Sequence, residues 1–138
     1  MKIVITGSLG HIGKPLTKEL LRNNHQVTVI SHSEERKSDI ENLGATAAIG
    51  SLEDVDFLSK TFTGADSVFC MTPPNWKVID QMAYYKNMGN IYKHAIRQAN
   101  VKRVVFLSSW GAHLSSGTGI VLGAHYVENI LNELTDVS

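Results

Sequence analysis

The sequence predicts an α/β fold, a doubly wound parallel sheet of about five strands in the order 3-2-1-4-5. Two observations predict it. Short apolar, β-branched runs alternate with stretches of helical period along the whole chain, and a glycine-rich turn, Thr6-Gly-Ser-Leu-Gly-His-Ile-Gly13, joins the first such run to the first helical stretch. A helix between two strands returns the chain to the same end of the sheet, so alternation makes the strands parallel, and right-handed crossovers leave the doubly wound order.

Each element has its own signal. Lys2 to Thr6 is a buried strand, and Ile12, Leu16 and Leu20 recur every fourth residue, the period of a helix packing one face on a sheet. Pro15 falls in the first turn of that helix, where its missing N–H costs little, and Asn23-Asn24 ends it. Gln26 to Ile30 is the second strand. Ser33 is read as the N-cap of the next helix, with Glu34 and Glu35 at its positive dipole end and Gly44 past its close at Leu43. Ala45 to Ile49 is the third strand. Ser51-Leu-Glu-Asp54 has the form of a capping box before a helix to Phe62, and Ser67 to Met71 is the fourth strand. Pro73-Pro74-Asn75 breaks the chain. Val78, Met82, Tyr85, Met88, Tyr92, Ala95 and Ala99 mark a long helix, Val101 to Leu107 the fifth strand. The Ser/Gly-rich loop from Ser115 to Gly119 leads to a last amphipathic segment through Tyr126, Ile130 and Leu134.

The chain has 138 residues, which at about 150 residues per domain predicts one domain spanning 1–138. With 13 Lys+Arg against 13 Asp+Glu there is no basic field for nonspecific nucleic-acid or anionic-membrane binding. An apolar fraction of 43% excludes a disordered chain, and no run approaches the ~18 apolar residues of a membrane span. The N-terminus runs straight into a strand rather than a secretory signal, and the single Cys70 has no intramolecular disulfide partner, so a reducing cytoplasm is expected. Six histidines show no metal-ligand spacing, and no metal site is expected.

The turn from Gly7 to Gly13 carries the chemistry. A tight turn needs positive φ, a pyrophosphate needs close backbone approach, and the helix must pack hard on the sheet; glycine meets each need because it lacks a Cβ. The helix N-terminus then offers backbone N–H groups of residues 8 to 13, Ser8, Leu9, Gly10, His11, Ile12 and Gly13, to phosphates. The spacing is G-x-x-G-x-x-G. In that spacing, in Gly50-Ser-Leu-Glu-Asp54, in Gly64-Ala-Asp66, in Ala99-Asn-Val-Lys-Arg-Val-Val-Phe-Leu-Ser-Ser109 and in His125-Tyr-Val-Glu128, the chain resembles the short-chain dehydrogenase/reductase superfamily, and within it the NmrA-like proteins, a group of quinone reductases and redox-sensing regulators with a Rossmann-like fold.

The resemblance implies an NAD(P)H-binding oxidoreductase. It places Ser51 and Leu52 near the adenine, Met71, Thr72 and Pro73 along the ribose and pyrophosphate, and Ser108, Ser109 and Trp110 facing the nicotinamide. At the end of the second strand, Ser31-His32-Ser33 offers small polar groups where an NAD-preferring protein usually has an acid. With Arg36 or Lys37 adding charge, this leans to NADP, although Glu34 and Glu35 argue for NAD if they point inward.

The Tyr-x-x-x-Lys pair that classical relatives carry on the helix after strand five is absent. Tyr126 is followed four residues later by Ile130, and no Lys or Arg occurs after Arg103. No catalytic residue is assigned. His113 and His125 are the remaining titratable candidates near the nicotinamide end, a polar loop role and a packing role being the plainer readings. Three functions therefore compete: a reductase of a quinone or other small acceptor, a non-catalytic dinucleotide-sensing regulator acting on a protein partner, and, more weakly, a nucleotide-sugar epimerase. Relatives in the superfamily dimerise through the helices after strands four and five, which makes a homodimer, with Trp76 and Tyr84 in its face, a further expectation. Such proteins also continue into a sixth strand and a C-terminal substrate region, so the outer edge of strand five is expected either to self-associate or to be covered by residues 111 to 138.

Overall fold

The computed structural model describes residues 1–138. The strands are β1 (Lys2–Ile5), β2 (Gln26–Ser31), β3 (Thr46–Ile49), β4 (Ser67–Cys70) and β5 (Val104–Phe106). The helices are α1 (Gly13–Arg22), α2 (Arg36–Asn42), α3 (Val55–Phe62), α4 (Gln81–Gln98) and α5 (Val121–Leu131). All strand pairs are parallel and the sheet order is β3-β2-β1-β4-β5, as the alternation predicts. The register sets Ile5 opposite Val29 on one side and Phe69 on the other.

Strand periodicity divides the core in two. Val4, Ile30, Val68 and Cys70 point to one face, where they meet Leu58 and Phe62 of α3 and Met88, Tyr92 and Ile96 of α4. Ile5, Val27 and Val29 point to the other, against Ile40 of α2 and Leu16 and Leu20 of α1. Helices on both faces explain why the strands read as nearly continuous apolar runs. On the first face α4 and α5 pack closely at two glycines: a Cβ at Gly89 would crowd Ile130, and one at Gly123 would overlap the Tyr85 ring.

Several boundaries differ from the sequence reading. Ser33 is not an N-cap: its N–H donates to Ser31 Oγ at 3.3 Å and its carbonyl accepts the Arg36 N–H at 3.1 Å, so it belongs to a turn and α2 starts three residues after it without a side-chain cap. Ser51 does not cap α3 either. The Gly50 N–H still bonds the Ser31 carbonyl at 2.9 Å, which holds the chain alongside β2. Ser51 to Glu53 then supply the turn, with Ser51 Oγ accepting the Glu53 N–H, and Asp54 caps the helix by accepting the Phe57 N–H at 3.0 Å. In the same way Asp80, not the region of Val78, caps α4 through the Ala83 N–H at 2.9 Å. Val101 is buried as an apolar strand residue would be, but its N–H closes the end of α4 on the Ile96 carbonyl, which shortens β5 to three residues.

The outer edge of β5 is partly covered by the chain itself. The Val104 N–H donates to the Ser138 carbonyl at 2.9 Å, and the Ser138 N–H donates to the Lys102 carbonyl at 3.0 Å, the two-bond pattern of a parallel ladder. Leu134 is buried beside it. A groove of about 520 Å³ remains between this tail and the edge, lined by Val104, Phe106, Leu131 and Val137 among others.

Two expectations follow for stability. Removing residues 135–138 frees the Val104 and Lys102 backbone groups, so the shortened chain should melt at a lower temperature and show concentration-dependent association by sedimentation; an unchanged monomer with an unchanged melting temperature refutes the role of the tail. Burial, joined by the nearby Glu53 charge, pushes the Tyr84 phenol up to about 12, and burial also raises Tyr85 and Tyr92. Because the folded values lie above the unfolded value of about 10, this contribution is complete below pH ~10 and is lost as pH rises through the folded values. Thermal stability should therefore fall above pH ~10, together with the appearance of tyrosinate absorbance.

Candidate functional site

The glycine turn sits where β1 meets α1, between the carboxyl ends of β2 and β4, at the point where strand order reverses. Its three glycines answer three different physical demands. Gly7 has φ +91°, and Ser8 follows with φ 59°, so the chain turns through two left-handed residues; a Cβ at Gly7 would also overlap the Met71 side chain. Gly13 is buried, and a Cβ there would overlap the Ser8 carbonyl oxygen. Gly10 has an ordinary φ and is exposed. A Cβ added there would meet nothing closer than the Gly7 carbonyl oxygen at 3.7 Å, so the fold itself makes no demand for glycine at that position.

The N–H groups of this turn divide in the same way. Ser8 N–H donates to the Ile30 carbonyl at 3.0 Å and Lys14 N–H to the Gly10 carbonyl at 3.1 Å. The N–H groups of Leu9, Gly10, His11, Ile12 and Gly13 donate to no backbone carbonyl. The expected run of free donors over residues 8 to 13 is thus corrected to 9 to 13, because the left-handed Ser8 turns its N–H back onto β2.

Two cavities open at the carboxyl ends of the strands. One, of about 400 Å³, is lined by Gly7, Ser8, Leu9, Gly10, Ser31, His32, Ser33, Glu35 and Arg36. Within it Ser8 Oγ donates to Ser31 Oγ at 3.0 Å. Arg36 lies 3.5 Å from Asp39, both half-exposed, a pair loose enough to exchange partners. The other, of about 200 Å³, lies beyond the ends of β4 and β5 and is lined by Met71, Thr72, Tyr85, Phe106, Leu107, Ser108, Ser109, Ile120, Val121 and Ala124. The hydroxyls of Thr72 and Ser108 are buried there without any hydrogen-bond partner in the protein. Unpaired buried hydroxyls are costly, and both belong to residues that line this cavity.

A buried network ties the two cavities together. Thr6 Oγ1 accepts the Met71 N–H at 2.9 Å, and the Tyr92 hydroxyl donates to the Met71 carbonyl. Residues at the end of β4 are thereby fixed against the start of the glycine turn.

Some sequence-selected residues stand apart from both cavities. Ser51 is exposed and Leu52 packs on the core; neither lines either of these two cavities. The Pro73 carbonyl accepts the Tyr84 hydroxyl at 2.8 Å, and Trp110 is 97% exposed. His11 is exposed and lines neither cavity. His125 has both ring nitrogens engaged, Nδ1 with the Ala112 carbonyl at 2.7 Å and Nε2 with the Asn129 amide at 3.0 Å. These two contacts clamp the 107–120 loop to α5, the packing role that the sequence reading preferred. Exposed His113 lines neither cavity. Tyr85, assigned to helix core by its spacing, is buried as expected and also lines the smaller cavity; helical period marks the inward face and does not say whether a cleft borders it. No cluster of His, Cys, Asp or Glu has metal-binding geometry, and no helix is long and apolar enough to cross a membrane.

The distinct roles of the glycines give a direct test. Gly13→Ala forces the helix away from the Ser8 carbonyl and should destabilise the fold by about 1–3 kcal/mol. Gly10→Ala meets nothing and should melt with the wild type; equal melting temperatures for all three proteins would refute this division.

The geometry can be set beside known proteins. Residues 7–133 match a family model described as NAD(P)H-binding. An uncharacterized protein of Schizosaccharomyces pombe is 38% identical over 68 residues, covering 49% of this chain and 23% of that protein. The structure of Citrobacter triphenylmethane reductase complexed with NADP(H) superposes with a TM-score of 0.83 at 19% identity, over 97% of this chain and 46% of that one. The NADPH-dependent quinone oxidoreductase QOR2 of Escherichia coli, complexed with NADPH, superposes with a TM-score of 0.75 at 20% identity, over 95% and 44%. The chain thus spans about a quarter of that curated relative and under half of these solved structures. With its matched region running from the first glycine of the turn to the end of α5, the chain belongs to the NAD(P)H-binding family.

Proposed function

We propose that this chain is the dinucleotide-binding part of an NmrA-like reductase, holding NADP(H) across the glycine turn and delivering its reducing equivalents to a quinone or other small carbonyl acceptor. The observation that carries the reading is the row of free N–H groups from Leu9 to Gly13 at the start of α1, beside the open space at Gly10. Unpaired donors at the positive end of a helix dipole fit a pyrophosphate, and an exposed glycine that the fold does not need fits close approach by one.

The residues present suit the cofactor at both ends. Ser31, His32, Ser33 and Arg36 line the larger cavity, and they can pair with a 2′-phosphate; Glu35 lines it too and opposes that charge. Thr72 and Ser108 line the smaller cavity among mostly apolar side chains, which suits a flat ring. When bound, the dinucleotide supplies the hydride chemistry, while this chain's residues bind it and orient it.

A second reading, a dinucleotide-sensing regulator without turnover, is favoured by one feature. Tyr126 has no lysine four residues on, and the Lys86 ammonium stands 4.1 Å from the centre of its ring, a cation–π contact to the face rather than a contact to the phenol oxygen. NADPH oxidation with a panel of quinones separates the two.

Calorimetric titration tests the binding site itself. The wild type should bind NADPH, and Gly10→Val should lose that binding while keeping the wild-type melting temperature. Arg36→Ala should weaken NADPH about tenfold, the size of one charge-assisted hydrogen bond, with little effect on NADH. No binding by wild type, or equal NADPH affinity in Gly10→Val, refutes the site; equal loss of both dinucleotides in Arg36→Ala refutes the phosphate preference.

A further inference from the structure

We propose that Tyr84 and Tyr92, two phenols of α4, are positioning residues for the dinucleotide: they clamp residues 71–73 against the glycine turn and so set the backbone that the cofactor meets at the end of β4. The inference rests on dinucleotide binding and does not depend on whether the bound cofactor is turned over.

The segment after β4 has few backbone bonds of its own. Pro73 and Pro74 carry no N–H, and the carbonyls of Met71 and Pro73 accept no backbone N–H. Side chains hold the segment instead. The Met71 N–H donates to Thr6 Oγ1 at 2.9 Å, the Tyr92 hydroxyl donates to the Met71 carbonyl, and the Tyr84 hydroxyl donates to the Pro73 carbonyl at 2.8 Å. The two phenols stand about two turns apart on α4, and their bonds bracket Thr72. A trans peptide is planar, so the Met71 carbonyl and the Thr72 N–H point in opposite directions. With that carbonyl held by Tyr92, the Thr72 N–H is directed away from this phenol, and it donates to no group in the protein.

The clamp reaches the glycine turn through Met71. Its sulfur occupies the space where a Cβ on Gly7 would stand; Gly7 lines the larger cavity and Met71 the smaller. A shift of the 71–73 backbone therefore moves the thioether against the left-handed Gly7, where the two cavities adjoin. Neither Tyr84 nor Tyr92 lines either cavity, so each acts through this segment and not on the ligand. Burial raises both phenols, which keeps them protonated as donors at neutral pH.

The test separates loss of a hydroxyl from loss of packing. Calorimetric NADPH affinity should fall about fivefold in Tyr92→Phe and in Tyr84→Phe, the size of one neutral hydrogen bond. Ile96→Val, further along the same helix and in the same core, should lower the melting temperature and leave the affinity unchanged. Tyr84 is only half-buried, so its variant gives the result even where Tyr92→Phe fails to fold. Spectra of methyl-labelled methionine in the unliganded proteins supply a second readout. The Met71 signal should shift in both phenylalanine variants and stay in place in Ile96→Val, with Met1 constant throughout. Wild-type affinity in both phenylalanine variants, an unmoved Met71 signal, or an equal affinity loss in Ile96→Val overturns the proposal. Failure of wild type to bind NADPH removes the dinucleotide reading and this proposal's ligand together, whereas wild-type binding with an unmoved Met71 signal overturns the clamp alone.

Discussion

The close approach of Gly13 to the Ser8 carbonyl sets the geometry on which the rest of the cleft depends. With no Cβ at Gly13, the first turn of α1 settles directly onto the loop that leaves β1. That contact fixes the direction of the helix axis and the position of its free N–H groups relative to the ends of β2 and β4. It also requires the chain to reverse in two residues, which the left-handed Gly7 and Ser8 accomplish. Ser8 then bonds back to β2 twice, through its N–H to Ile30 and its hydroxyl to Ser31. A serine at positive φ carries a modest conformational cost, and these two bonds offset it.

From that turn, order spreads to the other face through Thr6. Its side chain lies at the end of β1, fully buried, and links to Met71 and Tyr92. Tyr92 is the largest fully buried side chain, and its ring belongs to the α4 core while its hydroxyl serves the cleft. The same helix carries Tyr85 two turns earlier, towards the cleft end, where the core gives way to the smaller cavity. One helix therefore supplies a packing tyrosine, a tyrosine that holds the β4 loop, and a tyrosine that lines the smaller cavity. Close packing of α4 on α5 at Gly89 and Gly123 makes those positions rigid, since a larger residue at either would separate the helices.

The cleft divides by charge and polarity. Around the glycine turn the lining is polar and mixed in sign, with His32 and Arg36 near Glu35; beyond β4 and β5 it is mainly apolar, with isolated hydroxyls. An elongated ligand with an anionic middle and a flat, weakly polar end matches that gradient. The exposed apolar side chains Trp76, Ile79, Trp110, Leu114 and Ile120 lie on the two loops that follow β4 and β5. The large solved neighbours have more than half their length outside the region this chain covers.

What the sequence by itself determined is what repeats. Alternation of strand-like and helix-like periods is a local property, summed over ten elements, and it is enough to specify a parallel, doubly wound sheet and the place of its switch crevice. The glycine turn was legible for the same reason: backbone sterics at Gly7 and Gly13 act within a few residues. Helix caps were less legible, because Ser51 and Asp54 each satisfy a cap pattern, and it is the hydrogen bond from Gly50 to Ser31, between distant segments, that holds the chain alongside β2 and leaves Asp54 to begin the helix. Tertiary structure alone decided the smaller cavity. Whether Tyr85 borders a cleft, whether His125 is free or clamped, and whether Thr72 and Ser108 find partners depend on how α4, α5 and two strand ends converge. No local pattern encodes that convergence, since each group's surroundings come from residues far away in the chain.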